Sequence, residues 1–376
     1  MKTLSTTVRA AALALGLLAF GVPASAQNYE IWAADQGTNV VHVYNQDLKE
    51  VAKIDLGALG TRVPHMIDFT SDGAYAFVAS TGSGDVTVIR ASDRQIVQVF
   101  KTGGRTHMAN VTPDDRMVIA DVMGDPKEPR SGKLVEITID KAGGKFAMGR
   151  SLTIAEDPVF KAQSARFKDT AVICHDYTAD GRFAYVTLGA DLPNGGLLVL
   201  DTQSFKLVKA IGPDQLQVNC GTMLTPDKRH MIVNGGDANT GVWYALNTQT
   251  HDIVREGKSG GNDAHGVMNT PNGKEIWMVN RVSSNGMVLN ADTLEVIAGL
   301  ADVGPTPDII AMSPDSKFAF ITLRGPNPMS APHLAKGTTP GFSVIDVATR
   351  KKVRTVEPAQ GNPRSDFHGI AVRMLK

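Results

Sequence analysis

Four histidines occupy one position of a repeated motif, five residues ahead of a Thr-Pro-Asp-Gly-like turn. His65 precedes Thr70-Ser71-Asp72-Gly73, His107 precedes Thr112-Pro113-Asp114, His265 precedes Thr270-Pro271-Asn272-Gly273, and His368 opens a matching His-Gly-Ile-Ala-Val near the C-terminus. Cys220 holds the same place before Thr225-Pro226-Asp227, and Asp308 holds it before Ser313-Pro314-Asp315. The unit ending at Thr178 has Ile173 there, with His175 two residues on. Imidazole, thiolate and carboxylate are the side chains that ligate transition metals, so a repeat that brings them to equivalent positions predicts a ring of ligands. Its members are His65, His107, His175, Cys220, His265, Asp308 and His368. Such donors suit copper, zinc or iron, whereas calcium and magnesium take oxygen. Copper is favoured, given an exported chain with Met66, Met108, Met223 and Met268 close to the ring positions, although these methionines are expected in the core.

Chance is a poor explanation. With 9 histidines in 376 residues, four or more at seven chosen positions have a probability of about 10⁻⁵, or about 10⁻⁴ allowing for the choice of offset. Copying of one ancestral histidine by duplication, or a polar ring solvated by ordered water, are the alternatives.

The elements that must position this ring follow from the same spacing. The turns fall at Thr70, Thr112, Thr178, Thr225, Thr270 and Ser313, intervals of 42 to 66 residues, and four short strands fit between successive turns. In the first unit these are His65 to Phe69, Ala74 to Ala79, Asp85 to Ile89 and Gln95 to Lys101, rich in β-branched and aromatic residues and punctuated by Gly, Asp and Ser. A period of this length with four strands per unit predicts an all-β fold, a β-propeller. Tyr29 to Ala33 reads as a second strand without a first, and His368 to Met374 as a first strand without a second. Joined, they complete a seventh blade and close the ring. In such a blade the first strand lines the central channel and alternate side chains face the axis. The motif position therefore faces the bore in every blade, and His175 is expected on the same face, about 6.6 Å deeper. Neighbouring blades carry His368, His65 and His107, which makes that trio the expected primary ligands. Cys174, at the adjacent offset, is expected to point into its blade, away from a disulfide with Cys220.

The chain resembles the YVTN-type, cytochrome-d1-like β-propeller repeat family of exported bacterial proteins, on the segments Phe183-Ala184-Tyr185-Val186-Thr187 and Phe318-Ala319-Phe320-Ile321-Thr322 together with the six turns. The resemblance spans the mature chain and implies a seven-bladed propeller in the periplasm or outside the cell. It implies little about function, because propellers host many activities. The axial histidines also resemble those of the copper-holding propeller of nitrous oxide reductase and the haem-binding propeller of the periplasmic nitrite reductases. No Cys-x-x-Cys-His motif and no cupredoxin segment is present, so neither activity is carried over.

Four long insertions, Met123–Ser131, Lys141–Ala171, Gly189–Gly196 and Arg324–Gly341, are expected at the ring end of the channel, where loops build propeller sites. A small-molecule or protein ligand would bind at this looped face. His333 is read as an exposed loop residue beside the channel mouth. Arg62, Arg105, Arg281 and Arg324 lie near the same face, to bind an anion or to pair with aspartates. His230 and His251 fall outside the ring register and read as surface residues.

Bulk properties set the remaining bounds. Lys2 and Arg9, an apolar run from Ala10 to Phe20 and an Ala24-Ser25-Ala26 ending describe a signal peptide over residues 1–26, leaving 27–376 as one propeller domain without a membrane anchor. The 38 basic and 38 acidic residues balance, which gives no basic surface for nucleic acid. Two cysteines cannot build a disulfide framework. Three function classes follow: a metalloprotein, with an oxidoreductase among its forms; a metal-handling or binding protein without turnover; and a scaffold using the looped face.

Overall fold

Each Thr-Pro-Asp-Gly-like segment makes a self-satisfied turn. The Thr70 hydroxyl donates to Asp72 and accepts from the amide of Tyr75, and the Asp72 carboxylate accepts the amide of Ala74. Thr112, Thr178, Thr225 and Thr270, and Ser313 as well, donate in the same way to the residue two positions on. The side chains thus take over backbone groups that a reversing chain leaves unpaired, and each turn launches the next strand.

The computed structural model describes residues 28–189, 191–357 and 362–375; the signal-peptide reading of residues 1–26 lies outside them. It contains seven four-stranded antiparallel sheets. The first, third, fifth and sixth blades begin with the inner strands Pro64–Phe69, Val172–Tyr177, Ala264–Asn269 and Pro307–Met312. Thr106–Val111 and Thr222–Leu224 serve the second and fourth. The seventh blade is composite: Phe367–Met374 pairs with Tyr29–Asp35, which continues to Val40–Asn45 and Glu50–Asp55. The chain is therefore a seven-bladed β-propeller, closed as the strand grammar requires.

Buried residues run consecutively along the middle strands, as in Tyr75–Ser80, Met117–Val122 and Phe183–Leu188, so each sheet is buried on both faces, and seven hydrophobic clusters among the described residues each join two neighbouring blades. Phe77 and Val88 of the first blade meet Val118 and Ile137 of the second; Trp32 and Val43 of the seventh meet Ile67 and Ile89 of the first. No blade holds a core of its own.

Six of the seven inner strands, all but Thr222–Leu224, share one irregularity. Pairing with the second strand shifts register between Pro64 and Met66, Thr106 and Met108, Val172 and His175, Ala264 and Val267, and Pro307 and Ile310, and the composite blade shifts between Ala33 and Asp35, opposite Phe367 and Ile370. Each shift is a β-bulge, which inserts an unpaired residue and re-aims its side chain. The motif position sits in the bulge every time. Val63 and Thr306, β-branched residues just ahead of two of these strands, take the left-handed backbone with φ of 57° and 49°, a strain of about 1–3 kcal/mol each that the surrounding blades must hold.

The 141–171 stretch differs from expectation. Lys145–Thr153 is the fourth strand of the second blade, and the short helix Pro158–Lys161, capped by Asp157, buries Phe160 between the second and third blades. Asp157 also accepts the amide of Leu207. This insertion braces the side of the ring and does not crown the channel. Among the described residues no helix is long and apolar enough to cross a membrane.

Candidate functional site

The bulges bring His65, His107, His265, His368 and Asp308 around the axis, all buried. Above them lies a cavity of about 560 Å³ lined by the four histidines, Arg105, Arg281 and Asn219, with Met123 and Asp191 from two insertions and Met329 to His333 as a roof. His333 is exposed yet faces this mouth.

The most compact donor set is His265, Asp308 and His368, whose ligand atoms lie within 4.8 Å of one another. His265 Nε2 is 3.1 Å from Asp308 Oδ1, and His368 Nε2 is 3.6 Å from Asp308 Oδ2. The tautomer of His368 is fixed by its other nitrogen: Nδ1 lies 3.1 Å from the carbonyl of His65, which can only accept. Burial pushes the His368 pKa well below the usual imidazole range, against the opposing pull of Asp308. The neutral ring therefore turns the Nε2 lone pair toward a carboxylate. Burial likewise holds His65 and His265 neutral, helped at His265 by Arg281.

His65 and His107 form a second pair, with Nε2 atoms 2.9 Å apart. His65 Nδ1 donates to Gln36 Oε1 at 3.0 Å, while Gln36 Nε2 turns toward Asp366 at 3.4 Å. A histidine whose outer nitrogen is tied to a carbonyl and whose inner nitrogen faces a pocket is the arrangement that orients metal ligands. The rings of His65 and His368, however, stack at 3.6 Å with planes 23° apart, so one ion cannot lie in both ring planes. The neighbouring trio of His65, His107 and His368 is thus divided between two donor groups.

Asp308 stays ionised. The Arg324 and Arg281 guanidinium groups hold its carboxyl far below the normal range despite burial. Arg324 Nη1 donates to it at 2.7 Å and grips Asp366 with Nε and Nη2, each at 2.7 Å. Arg281 pairs with Asp263 at 2.6 Å. These two arginines follow the pairing alternative. Arg62 is exposed, whereas Arg105 lines the cavity with its Nε bonded to Gly124 O.

Two placements overturn the sequence reading. His175 lies inside its blade rather than on the bore, with Nδ1 2.7 Å from Asp121 and Nε2 2.9 Å from the Tyr177 hydroxyl. The bulge consumes one residue, so a shift of two after it changes face instead of preserving it. The same shift turns Cys174 toward the axis, where its sulfur lies 3.8 Å from His107 Nδ1. Cys220 sits where expected, 2.7 Å from His265 Nδ1, and burial raises its thiol pKa. Met66, Met108, Met223 and Met268 line a second cavity of about 570 Å³ on the axis beside Asp68 and Asp176, so they are not simply core. His251 is half-buried against Tyr185.

Gln36, Asp263 and Asp366 escaped sequence reasoning. Asp263 and Asp366 stand two residues before His265 and His368, a matching offset that could have marked them.

No protein-family model matches the chain, and no curated protein matches it. Solved structures do. Hydrazine synthase of Kuenenia stuttgartiensis superposes with a TM-score of 0.63 at 16% identity, covering 83% of this chain and 91% of that one. Dihydro-heme d1 dehydrogenase NirN in complex with DHE gives 0.56 at 14%, covering 91% and 74%. The β-propeller domain of Cps50 (Swd1) from Myceliophteria thermophila gives 0.54 at 12%, covering 81% and 95%. These likenesses are of fold.

Proposed function

We propose that the axial pocket of an exported, YVTN-type propeller binds a transition-metal ion, with His265 Nε2, Asp308 and His368 Nε2 as its primary ligands. The observation that carries this is the His368 lone pair aimed at a buried, ionised carboxylate, a juxtaposition that a cation between them would relieve. The donor separations of 3.1 and 3.6 Å suit an ion about 2.0–2.1 Å from each ligand, which sets ligand–ligand edges near 3.3 Å. His65 and His107 supply a second pair of imidazoles at the cavity floor. Two nitrogens and one carboxylate suit copper, zinc or iron, with copper favoured because it stands highest in the affinity order for such donors. The cavity above is far larger than an ion and falls in the size range of small-molecule sites. A bound metal would supply a Lewis acid or a redox centre there, while Arg105 and the roof residues would hold a small ligand.

Protein isolated from the periplasm is expected to carry near-stoichiometric metal by elemental analysis. The variant His265→Gln with His368→Gln should lose that metal and keep its circular dichroism. Visible absorption is recorded in parallel, because one propeller of similar fold is a dihydro-heme d1 dehydrogenase in complex with DHE, and a tetrapyrrole would absorb there. Wild-type protein without metal, whose melting temperature ignores added Cu²⁺, Zn²⁺ and Fe²⁺, would overturn the reading and leave a scaffold that uses the looped face.

A further inference from the structure

Cys174 stands on the inner strand of the third blade and Cys220 just ahead of that of the fourth, and the site just described employs neither as a primary ligand. Both are buried. The bulge in Val172–Tyr177 turns Cys174 from its blade to the axis, where its sulfur lies 3.8 Å from His107 Nδ1, on the side where the Cys220 sulfur lies 2.7 Å from His265 Nδ1. Their backbones are held together as well. The Thr187 hydroxyl lies 2.7 Å from the Cys220 carbonyl and 3.2 Å from that of Cys174, and it accepts the Cys174 amide at 3.2 Å. One side chain from the second strand of the third blade thus fixes both cysteines at once.

The fourth blade needs such a fixture. Its inner strand is only Thr222–Leu224, three residues against six in the neighbouring third and fifth blades. Ahead of it, Cys220 is tied by its amide to Asn234 O at 3.2 Å, and Gly221 by its amide to Asn234 Oδ1 at 2.8 Å. A cross-link from Cys220 to the longer strand of the third blade would anchor the weakest inner edge of the ring.

We infer that Cys174 and Cys220 form an interblade disulfide on the floor of the axial site when the chain folds in an oxidising compartment. The oxidant is a small-molecule or protein disulfide. One cysteine sulfur attacks it and releases one thiol, and the second cysteine then displaces the other thiol from the mixed disulfide. Two electrons and two protons leave Cys174 and Cys220, and two thiols form from the oxidant. The product also acts on the site. Once oxidised, Cys220 has no S–H to donate, so it can only accept from His265 Nδ1–H, which leaves the Nε2 lone pair facing Asp308.

The experiment reduces and unfolds the full chain, refolds it in a glutathione redox buffer, and alkylates it under denaturing conditions before and after reduction. No alkylation before reduction, two groups after it, and a proteolytic peptide linking Cys174 to Cys220 are expected. With a closed loop of about 46 residues, reduction should lower the melting midpoint by about 5 °C. The Cys174→Ser, Cys220→Ser double variant should fold and melt at a temperature insensitive to reductant. Two alkylated thiols before reduction, or a disulfide-linked dimer, would overturn the inference. Neither readout requires metal, so the test stands apart from that of the metal site.

Discussion

At the scale of single residues, the site is a problem in storing lone pairs. Three imidazoles, at His65, His265 and His368, are kept neutral by burial, and the single carboxylate among them is kept ionised by two guanidinium groups. Asp308 contributes its stability above the normal carboxyl range, from about pH 4 upward, so it adds no slope near neutrality. The histidines do. In the unfolded chain they take up protons as the pH falls below 6.5, whereas in the fold they do not, so stability rises with pH across that range. Asp68, pushed up to about 6, works the other way, as do Asp121 and Asp176, which burial also raises. For metal-free protein the net expectation is a loss of about 1–3 kcal/mol per pH unit between pH 6.5 and 5.5. Urea midpoints at several pH values measure it. The His265→Gln, His368→Gln variant should show a slope smaller by about two protons, and equal slopes for variant and wild type would mean that the imidazoles are not held neutral.

At the scale of elements, the roof is governed from below. Asp366 accepts not only from Arg324 but also from the amides of Gly325 at 3.1 Å and Met329 at 2.7 Å, and Arg324 Nη2 reaches the Ser330 carbonyl at 3.0 Å. The roof segment is therefore pinned to the ion pair that holds Asp308. Asp366→Asn leaves the buried Arg324 short of one carboxylate and should cost about 3 kcal/mol. It should also speed proteolytic cleavage between residues 324 and 341 under native conditions. Unchanged cleavage would show that the roof is ordered by something else. The elements also explain what a reader of the sequence can and cannot see. Blades were legible because hydroxyl-anchored turns recur at fixed spacing, and the ring was legible because its members share one offset from those turns. The bulge was not legible, since it leaves no composition signal and yet reverses the face of everything after it. For that reason His65 and His265 were placed correctly while His175 and Cys174 exchanged roles. The Asp263–Arg281 and Asp366–Arg324 pairs were hidden differently, joining positions 18 and 42 residues apart that only the closed blades bring together.

At the scale of the whole molecule, stability is a property of the ring because every hydrophobic cluster is shared between two blades. Opening any one interface exposes two apolar sheet faces. The interface that the chain ends control is the pairing of Tyr29–Asp35 with Phe367–Met374. Asp35 secures it further by accepting the amide of Asp366 at 2.8 Å and the Ser365 hydroxyl at 2.7 Å. Deleting residues 367–376 removes Phe367 and Ile370 from the cluster they share with Ile31, Phe320 and Phe342, and it unpairs the inner edge of Tyr29–Asp35. Burial lost at a large core side chain costs about 2–5 kcal/mol, and two such losses with an unpaired edge approach the whole stability of a typical domain, about 5–15 kcal/mol. The truncated chain should therefore lose its cooperative unfolding transition rather than shift it, as followed by circular dichroism during urea titration. A second truncation that removes only residues 375 and 376 should leave the transition intact. A sharp transition at the wild-type midpoint after loss of residues 367–376 would mean that the other six blades stand without closure. The site would then owe His368 alone, and not ring integrity, to the C-terminal strand.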